Sequence, residues 1–395
     1  MEKLIKLPFV FFLIAALVGF ALRWHYYQPI AGFQYSNWLH THSHVMFLGW
    51  VFNALFVGLV ARLLPRSSHG RFKAIFYFLN LLVFGMLVSF PLQGYGIYSI
   101  AISTIHTFIV VIFCIRFFRE TKSNKSNIAV WFARASLGFF LISAIGPFVV
   151  GTLVAKGLGQ SEWYHLAVYF YLHFQYNGVF TFGILALLFH WMEQKGCSFN
   201  GTTLSRFHTI LFISCFPAYA LSTLWTNPPT IVYWVALLAA LLQVIALNDL
   251  FSILWTSWNK LKQTILPNSR ILLIASMFAF AIKVMLQLMS VHPKVAMLAY
   301  EVRFYVIAYL HLVLIALISF FLLAWYNEQG WIFIRRMYAN FLIVGFVSSE
   351  LIMISVGYLP DFFNVSQWLA ITSAFLVLGT GGITFRTIFV TSIKY

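Results

Sequence analysis

Three histidines, His40, His42 and His44, occupy alternate positions in WLHTHSHVMFLGW (residues 38–50), and apolar sequence follows them. A buried histidine is costly unless it is hydrogen-bonded, paired or bound to a metal. On a helix, His40 and His44 share one face, whereas His42 points about 200° away from His40. One helix end could therefore present imidazole to two centres, and we expect all three histidines to be ligands.

Three further histidines, His106, His173 and His311, lie inside apolar segments, at depths of about 12–15 Å from the segment ends. An ionisable residue at such a depth in a membrane predicts a function. The chain has only nine Asp and Glu, and its three cysteines show no CxxC spacing. A nitrogen-rich site without thiolates suits haem iron or copper. For His106 and His311, a hydrogen-bonded packing role is the alternative, whereas His173 is grouped with His40, His42 and His44 as a ligand.

The composition identifies the elements that must position these residues. The 395 residues are 62% hydrophobic and 9% charged, with a mean hydropathy of +0.88, whereas soluble domains carry about 25% charged residues. The apolar runs are continuous rather than alternating, which predicts helices and not barrel strands. We therefore predict an all-α polytopic membrane protein of about 12 spans, in a single transmembrane domain over residues 1–395. The predicted spans are approximately 7–23, 39–64, 72–92, 97–118, 130–154, 163–191, 207–225, 230–252, 270–291, 303–326, 332–358 and 366–390.

The formal net charge is +16, and the basic residues are concentrated in the segments predicted to lie on one side of the membrane. Of the 25 Lys and Arg, only Arg23, Lys156, Lys294 and Arg303 fall in segments on one side, and Lys283 lies within the ninth span. The positive-inside rule then places both termini in the cytoplasm and HTHSH at the outer end of the second span. We expect a multi-pass protein of the cell (inner) membrane, with the lipid bilayer as its partner and no nucleic acid.

Other polar residues lie within or beside the predicted spans. Lys283 and Glu350 are costly in lipid; they could pair with each other, or Lys283 could hold a haem propionate. Arg303, at the start of the tenth span, could also hold a propionate or anchor the helix at the interface. Gln175 and Asn177 could orient a ligating imidazole or bond between helices. The candidate cofactor-binding residues are therefore Arg303, Lys283, Asn177 and Gln175.

The run HTHSHVMFLGW…LVARLLPR resembles the HxH…GW…P-R helix of subunit I in the haem–copper oxidase superfamily. The chain looks closest to NnrS-like haem–copper membrane proteins, which are similar in size, helix count and an early HxH…G segment. The segment YHLAVYFYLHFQYNGVFTFG (164–183) also resembles a metal-binding helix of that superfamily. The resemblance implies haem, with copper as a further cofactor, and nitric oxide as a small-gas partner. It specifies neither the haem type nor the electron donor.

Two functions follow as hypotheses. The chain has no adjacent His–His pair, which oxygen-reducing oxidases require, so the resemblance implies a role in nitric oxide response or redox chemistry. If the protein is an enzyme, we expect an oxidoreductase. The alternative is a secondary transporter that uses intramembrane His and Lys in a proton or substrate path. Transporters usually contain paired repeats, and we find no convincing internal repeat in the sequence.

The predicted orientation is tested with a periplasm-active reporter fused after Tyr395. Because the basic residues place the C-terminus in the cytoplasm, this fusion should be silent. The same reporter inserted after Gly32, in the first predicted outer loop, should be active. Strong activity of the Tyr395 fusion would contradict both the topology and the depths assigned to the histidines.

Overall fold

The computed structural model describes residues 1–124, 127–360 and 363–389. Every regular element in that part of the chain is helical, and 12 helices are long and apolar enough to cross a membrane. The all-α multi-pass prediction is thereby confirmed, while the side of each terminus stays a prediction. In chain order, α1–α12 are Glu2–Tyr27, Tyr35–Leu63, Arg66–Gln93, Ile97–Glu120, Ile128–Ala155, Glu162–Gln194, Gly201–Thr226, Thr230–Thr264, Pro267–Met289, Arg303–Glu328, Arg336–Ser355 and Val365–Phe389. Residue 390, where the last predicted span ends, lies outside the described residues.

Some helix boundaries differ from the predicted ones. Helix α8 continues to Thr264, beyond the predicted residue 252, because no glycine or proline interrupts the polar sequence before Pro267. Helix α7 changes to a 3-10 helix at Pro217, where the missing N–H prevents the α-helical bond. Hydropathy therefore located each helix, and the helix-breaking residues determine where the regular pattern changes.

The chain divides into two compact units. Unit 1 comprises residues 1–123, 266–273 and 319–395, and contains α1–α4, the second half of α10, α11 and α12. Unit 2 comprises residues 124–265 and 274–318, and contains α5–α8, most of α9 and the first half of α10. The organisation of residues 1–395 as a single transmembrane domain stays a prediction.

Three helices are more buried than the other nine spans. The apolar windows of α2, α6 and α10 are 89%, 94% and 67% buried, against at most 50% in the other nine spans. Each of the three contains a π-helical segment, Val45–Phe52, Phe174–Phe180 and Leu312–Ser319 respectively. Such segments are rare and usually a single turn, and they occur often at functional sites. Each begins directly after a histidine, namely His44, His173 or His311.

The three π-helical segments share further features at equal distances from their histidines. The fifth residue after the histidine is small: Gly49, Gly178 or Ala316. A Cβ added at Gly49 would lie 2.8 Å from Phe11 Cγ of α1, and one at Gly178 would lie 2.5 Å from Phe139 Cβ of α5. The preceding helix thus packs closely against α2 and α6 at the same place.

Carbonyl bonding repeats in the same way. In α6 and α10, the backbone carbonyl six residues after the histidine accepts a hydrogen bond from a serine hydroxyl of the preceding helix. Ser136 Oγ donates to Val179 O over 2.6 Å, and Ser276 Oγ donates to Leu317 O over 2.5 Å. Helices α2, α6 and α10 lie four spans apart, so the shared pattern recurs at every fourth span. The sequence did not show this repeat, because only the histidine and the small residue are retained.

In unit 1, Trp50 joins three helices. Its ring stacks on Phe12 of α1 at 4.3 Å and meets the edge of Phe9 at 5.0 Å. Its indole N–H donates to Ser319 Oγ of α10 over 2.8 Å. A fully buried Trp needs a partner for its N–H, so this bond fixes the rotation of α2 against α10. Tyr326 strengthens the same contact by donating its hydroxyl to Ala54 O over 2.6 Å.

The close packing at Gly178 is tested by Gly178→Ala. The added methyl would overlap the Phe139 side chain at 2.5 Å, and overpacking of this kind costs about 1–3 kcal/mol. We therefore expect a lower thermal unfolding midpoint in detergent. Gly138→Ala, on the neighbouring α5, is the control, because nothing lies within 4 Å of its added Cβ. Equal midpoints for the two variants would contradict the packing argument.

Candidate functional site

The three histidines of HTHSH face two directions, as predicted. His42 faces α1: its Nδ1 lies 2.9 Å from Ala15 O, and a Cβ at Gly19 would lie 2.9 Å from His42 Cε1. His40 and His44 face the other way, with ring centroids 4.4 Å from Tyr95 and 4.3 Å from Phe90 respectively. The helical spacing therefore predicted the faces correctly, and the structure adds the neighbours of each ring.

The hydrogen bond of His44 fixes which of its nitrogens can bind a ligand. His44 Nδ1 lies 2.9 Å from His40 O, one turn earlier in α2. A carbonyl oxygen can only accept, so Nδ1 carries the proton and a neutral ring keeps its lone pair on Nε2. Histidines that bind a metal almost always donate their other N–H to a carbonyl or carboxylate in this way. His44 thus has the tautomer of a ligand that binds through Nε2.

His106 of α4 is the neighbour of His44 in unit 1. Its side chain is 1% exposed, and its Nε2 has no hydrogen-bond partner among the described residues. The two histidines lie within electrostatic reach of each other, and the ring of Phe52 lies 6.3 Å from that of His106. A buried polar nitrogen without a partner costs about 1–3 kcal/mol. His106 Nε2 is therefore a buried acceptor or donor whose partner lies outside the described hydrogen bonds.

Tyr95, which the sequence did not single out, lies beside this histidine pair. It belongs to the Gly94–Tyr95–Gly96 turn between α3 and α4, and Gly94 has a φ of 57°. Ser99 Oγ lies 2.5 Å from Gly94 O and 2.9 Å from Gly96 O, so the turn is anchored on both sides of Tyr95. The aromatic residue between two glycines, in the turn that joins two spans, was the available signal in the sequence.

The pair His44 and His106 offers at most two nitrogens to a metal or to haem iron. No group of three or more His, Cys, Asp or Glu that could hold a metal ion occurs in the described part of the chain. Zinc and copper sites need three or four protein ligands. Haem iron needs at most two axial ligands from the protein, and the orphaned Nε2 of His106 fits that demand. A copper ion would need a ligand beyond these two.

His173 in unit 2 has a different environment. Its Nε2 lies 2.9 Å from Cys215 O of α7, and its Nδ1 lies 3.1 Å from Asn177 Nδ2. Nε2 therefore donates to the carbonyl and Nδ1 accepts from the amide, so both ring nitrogens are engaged. The arrangement matches a hydrogen-bonded packing histidine, and the predicted role of His173 as a metal ligand stays a prediction. His311, in α10 of the same unit, lies partly buried at the start of its π-helical segment.

The candidate cofactor-binding residues are spread over unit 2. Gln175 Nε2 donates to Ser143 Oγ over 2.9 Å, and Asn177 bonds to the ring of His173. Arg303 is exposed at the start of α10, while Lys283 is 2% exposed within α9. Nothing in this placement excludes or establishes contact with a cofactor, so these roles stay predictions.

The predicted ion pair also stays a prediction. Glu350 lies in unit 1 within electrostatic reach of Arg23. Arg23 Nη2 itself donates to Met353 Sδ over 3.0 Å. Lys283 lies in unit 2, where its electrostatic neighbours are Cys215 and His173. Each of the two charges thus has neighbours of its own within its unit.

No model of a known protein family matches this chain, and no curated protein aligns with it significantly. The geometry of the two histidine environments is therefore what distinguishes the functions considered below.

The bond between Asn177 and His173 Nδ1 is tested by Asn177→Leu. Leucine is chosen because Leu48 occupies the corresponding place, four residues after His44. Loss of the amide donor leaves Nδ1 without its bond, which costs about 1–3 kcal/mol. We expect a lower unfolding midpoint and a changed tautomer, read from the 15N shifts of the histidine ring. Unchanged shifts together with an unchanged midpoint would show that Asn177 does not control this ring. Asn268→Leu, which removes a partly buried amide in unit 1, controls for the loss of an amide elsewhere.

Proposed function

We propose that this chain is a haem-binding membrane protein, with the iron held in unit 1 by His44 and His106. One observation carries the proposal: the buried Nε2 of His106 lacks a partner in the described structure and lies near a histidine whose own Nε2 keeps its lone pair. A neutral imidazole that is removed from water gains most from a metal when no carboxylate competes for its proton.

Each surrounding residue has a definite task in this proposal. The carbonyl of His40 holds the Nδ1 proton of His44 and so orients its ring. The rings of Phe90 and Phe52 give the imidazoles an apolar boundary and exclude water. Tyr95, next to His40, is the residue of the anchored turn that a small molecule would pass first from that end. When bound, haem iron supplies reversible redox change and an affinity for small diatomic gases.

A diatomic gas bound at the iron is the substrate or signal that this proposal implies. Nitric oxide remains the gas suggested by the resemblance to NnrS-like proteins, and an oxidoreductase or a nitric-oxide-responsive protein is the corresponding activity. Binding of a second centre, haem or copper, by His42 on the opposite face of α2 is part of the same proposal. The inner membrane is the expected location.

A secondary transporter is the second candidate, and one observation favours it. Lys283 is buried in mid-membrane sequence in unit 2, beside His173 and Cys215. Intramembrane Lys and His often belong to proton or substrate paths. Transporters usually consist of two related halves, whereas the π-helical pattern recurs in three helices of this chain.

The proposal is tested by measuring haem, iron and copper per purified protein for His44→Ala and His106→Ala. Each variant removes a ligand nitrogen, and we expect bound haem to fall at least tenfold, since loss of even a group that orients a ligand costs about 10–100-fold in affinity. The Soret absorption should fall in parallel.

His69→Ala is the matched control. His69 also lies in unit 1, but its ring bonds to Leu64 O over 3.3 Å between α2 and α3, away from the paired histidines. This variant should retain the haem content of the original protein. Unchanged haem and metal in both His44→Ala and His106→Ala, with intact folding by circular dichroism, would disprove the proposed ligands. A metal-free, colourless original protein would favour the transporter.

A further inference from the structure

Lys283 is a buried amine in the interior of unit 2. Its side chain is 2% exposed, and its Nζ lies 5.5 Å from the centroid of the Phe280 ring. No hydrogen bond or ion pair of this ammonium group occurs among the residues that the structure describes. A charge in such a place is expensive unless it is paired. One aromatic ring contributes about 0.5–2 kcal/mol, which does not replace a counter-ion.

Unit 2 has no carboxylate to serve as that counter-ion. Its acidic residues are Glu162, Glu193, Asp249 and Glu301. The three glutamates are exposed at the ends of helices. Asp249 is already held by both Arg206 Nε, over 2.9 Å, and Arg206 Nη2, over 2.5 Å. The negative charge that neutralises Lys283 therefore has to come from outside this unit's own acids.

The neighbours of Lys283 cannot accept its protons either. The ring of His173 is nearby, but its Nε2 donates to Cys215 O and its Nδ1 already accepts from Asn177. The thiol of Cys215 is a weak acceptor. Two buried amide oxygens in unit 2, Asn177 Oδ1 and Gln287 Oε1, find no donor in the described structure, and Asn177 bonds to the ring of His173. Gln287 is one helical turn from Lys283 on the same face of α9.

We propose that Lys283 binds a small monovalent anion of the carboxylate type in unit 2. The anion accepts hydrogen bonds from the ammonium group and neutralises it. Water that enters with the anion donates to Asn177 Oδ1 and Gln287 Oε1, because buried orphan oxygens of this kind are usually satisfied by internal water. Lys283 lies about 9 Å along α9 from the end of that helix at Met289.

The test measures the thermal unfolding midpoint of the purified full-length protein in detergent against the concentration of sodium formate, with sodium gluconate holding the ionic strength constant. A ligand that binds only the folded state raises the midpoint saturably, and we expect a rise of roughly 2–4 °C. Lys283→Met keeps the length of the side chain but removes the charge, and should abolish the rise. Lys283→Arg should retain it.

Lys156→Met is the matched control, because Lys156 also belongs to unit 2 but is exposed in the loop between α5 and α6. Its formate response should equal that of the original protein. A response that survives in Lys283→Met, or its complete absence from the original protein, would overturn the proposal. Saturation-transfer NMR of 13C-formate on the original protein gives the same answer without a variant, in case Lys283→Met does not fold: absence of transfer rejects anion binding.

A carboxylate could also arrive on a lipid, so the titration is repeated with oleate at concentrations below its micellar limit. Competition between oleate and formate identifies a lipid carboxylate as able to reach Lys283, and lack of competition assigns the site to free small anions. The His44→Ala variant should keep its formate response. Failure of the haem proposal and failure of the anion proposal are therefore distinguishable.

Discussion

Inside a bilayer, a polar backbone group that leaves the α-helical pattern must find its partner within the protein. Helices α2, α6 and α10 leave that pattern in their π-helical segments, where they are also the most buried. Side chains supply the partners: Ser136 and Ser276 bond to carbonyls of the adjacent helix. Since each serine requires close approach of two helices, this constraint also explains the small residue that stands one position before the bonded carbonyl.

The same constraint determines the state of the histidines. His42, His44 and His173 each have a ring nitrogen 2.9 Å from a backbone carbonyl. A carbonyl fixes the proton on the nearer nitrogen and thereby decides what the other nitrogen can do. In His44 the other nitrogen keeps its lone pair, whereas in His173 it accepts from Asn177. The hydrogen bond of each ring to a backbone carbonyl thus determines which ring nitrogen carries the proton and which keeps a lone pair.

The sequence predicted those features that depend on one helix at a time. Apolar length gave all twelve helices, and helical spacing gave the opposite faces of His42 and His44. Features that depend on backbone atoms of a second helix were not predictable. His173 bonds to the backbone carbonyl of Cys215, and every residue type has such a carbonyl, so the sequence could not indicate this bond. The position of Tyr95 depends on the path of the turn between α3 and α4. The internal repeat was missed because hydrocarbon contact accepts many apolar residues at each position.

One position accounts for the divergence of the repeats. Four residues after the histidine stand Leu48 in α2, Asn177 in α6 and Ile315 in α10. Leu48 has no donor, so the Nδ1 of His44 turns to the carbonyl of His40 and its Nε2 keeps the lone pair. The amide of Asn177 supplies a donor to Nδ1 of His173 and places the ring proton on Nε2. A single side chain one turn away therefore decides which ring nitrogen carries the proton in His44 and in His173.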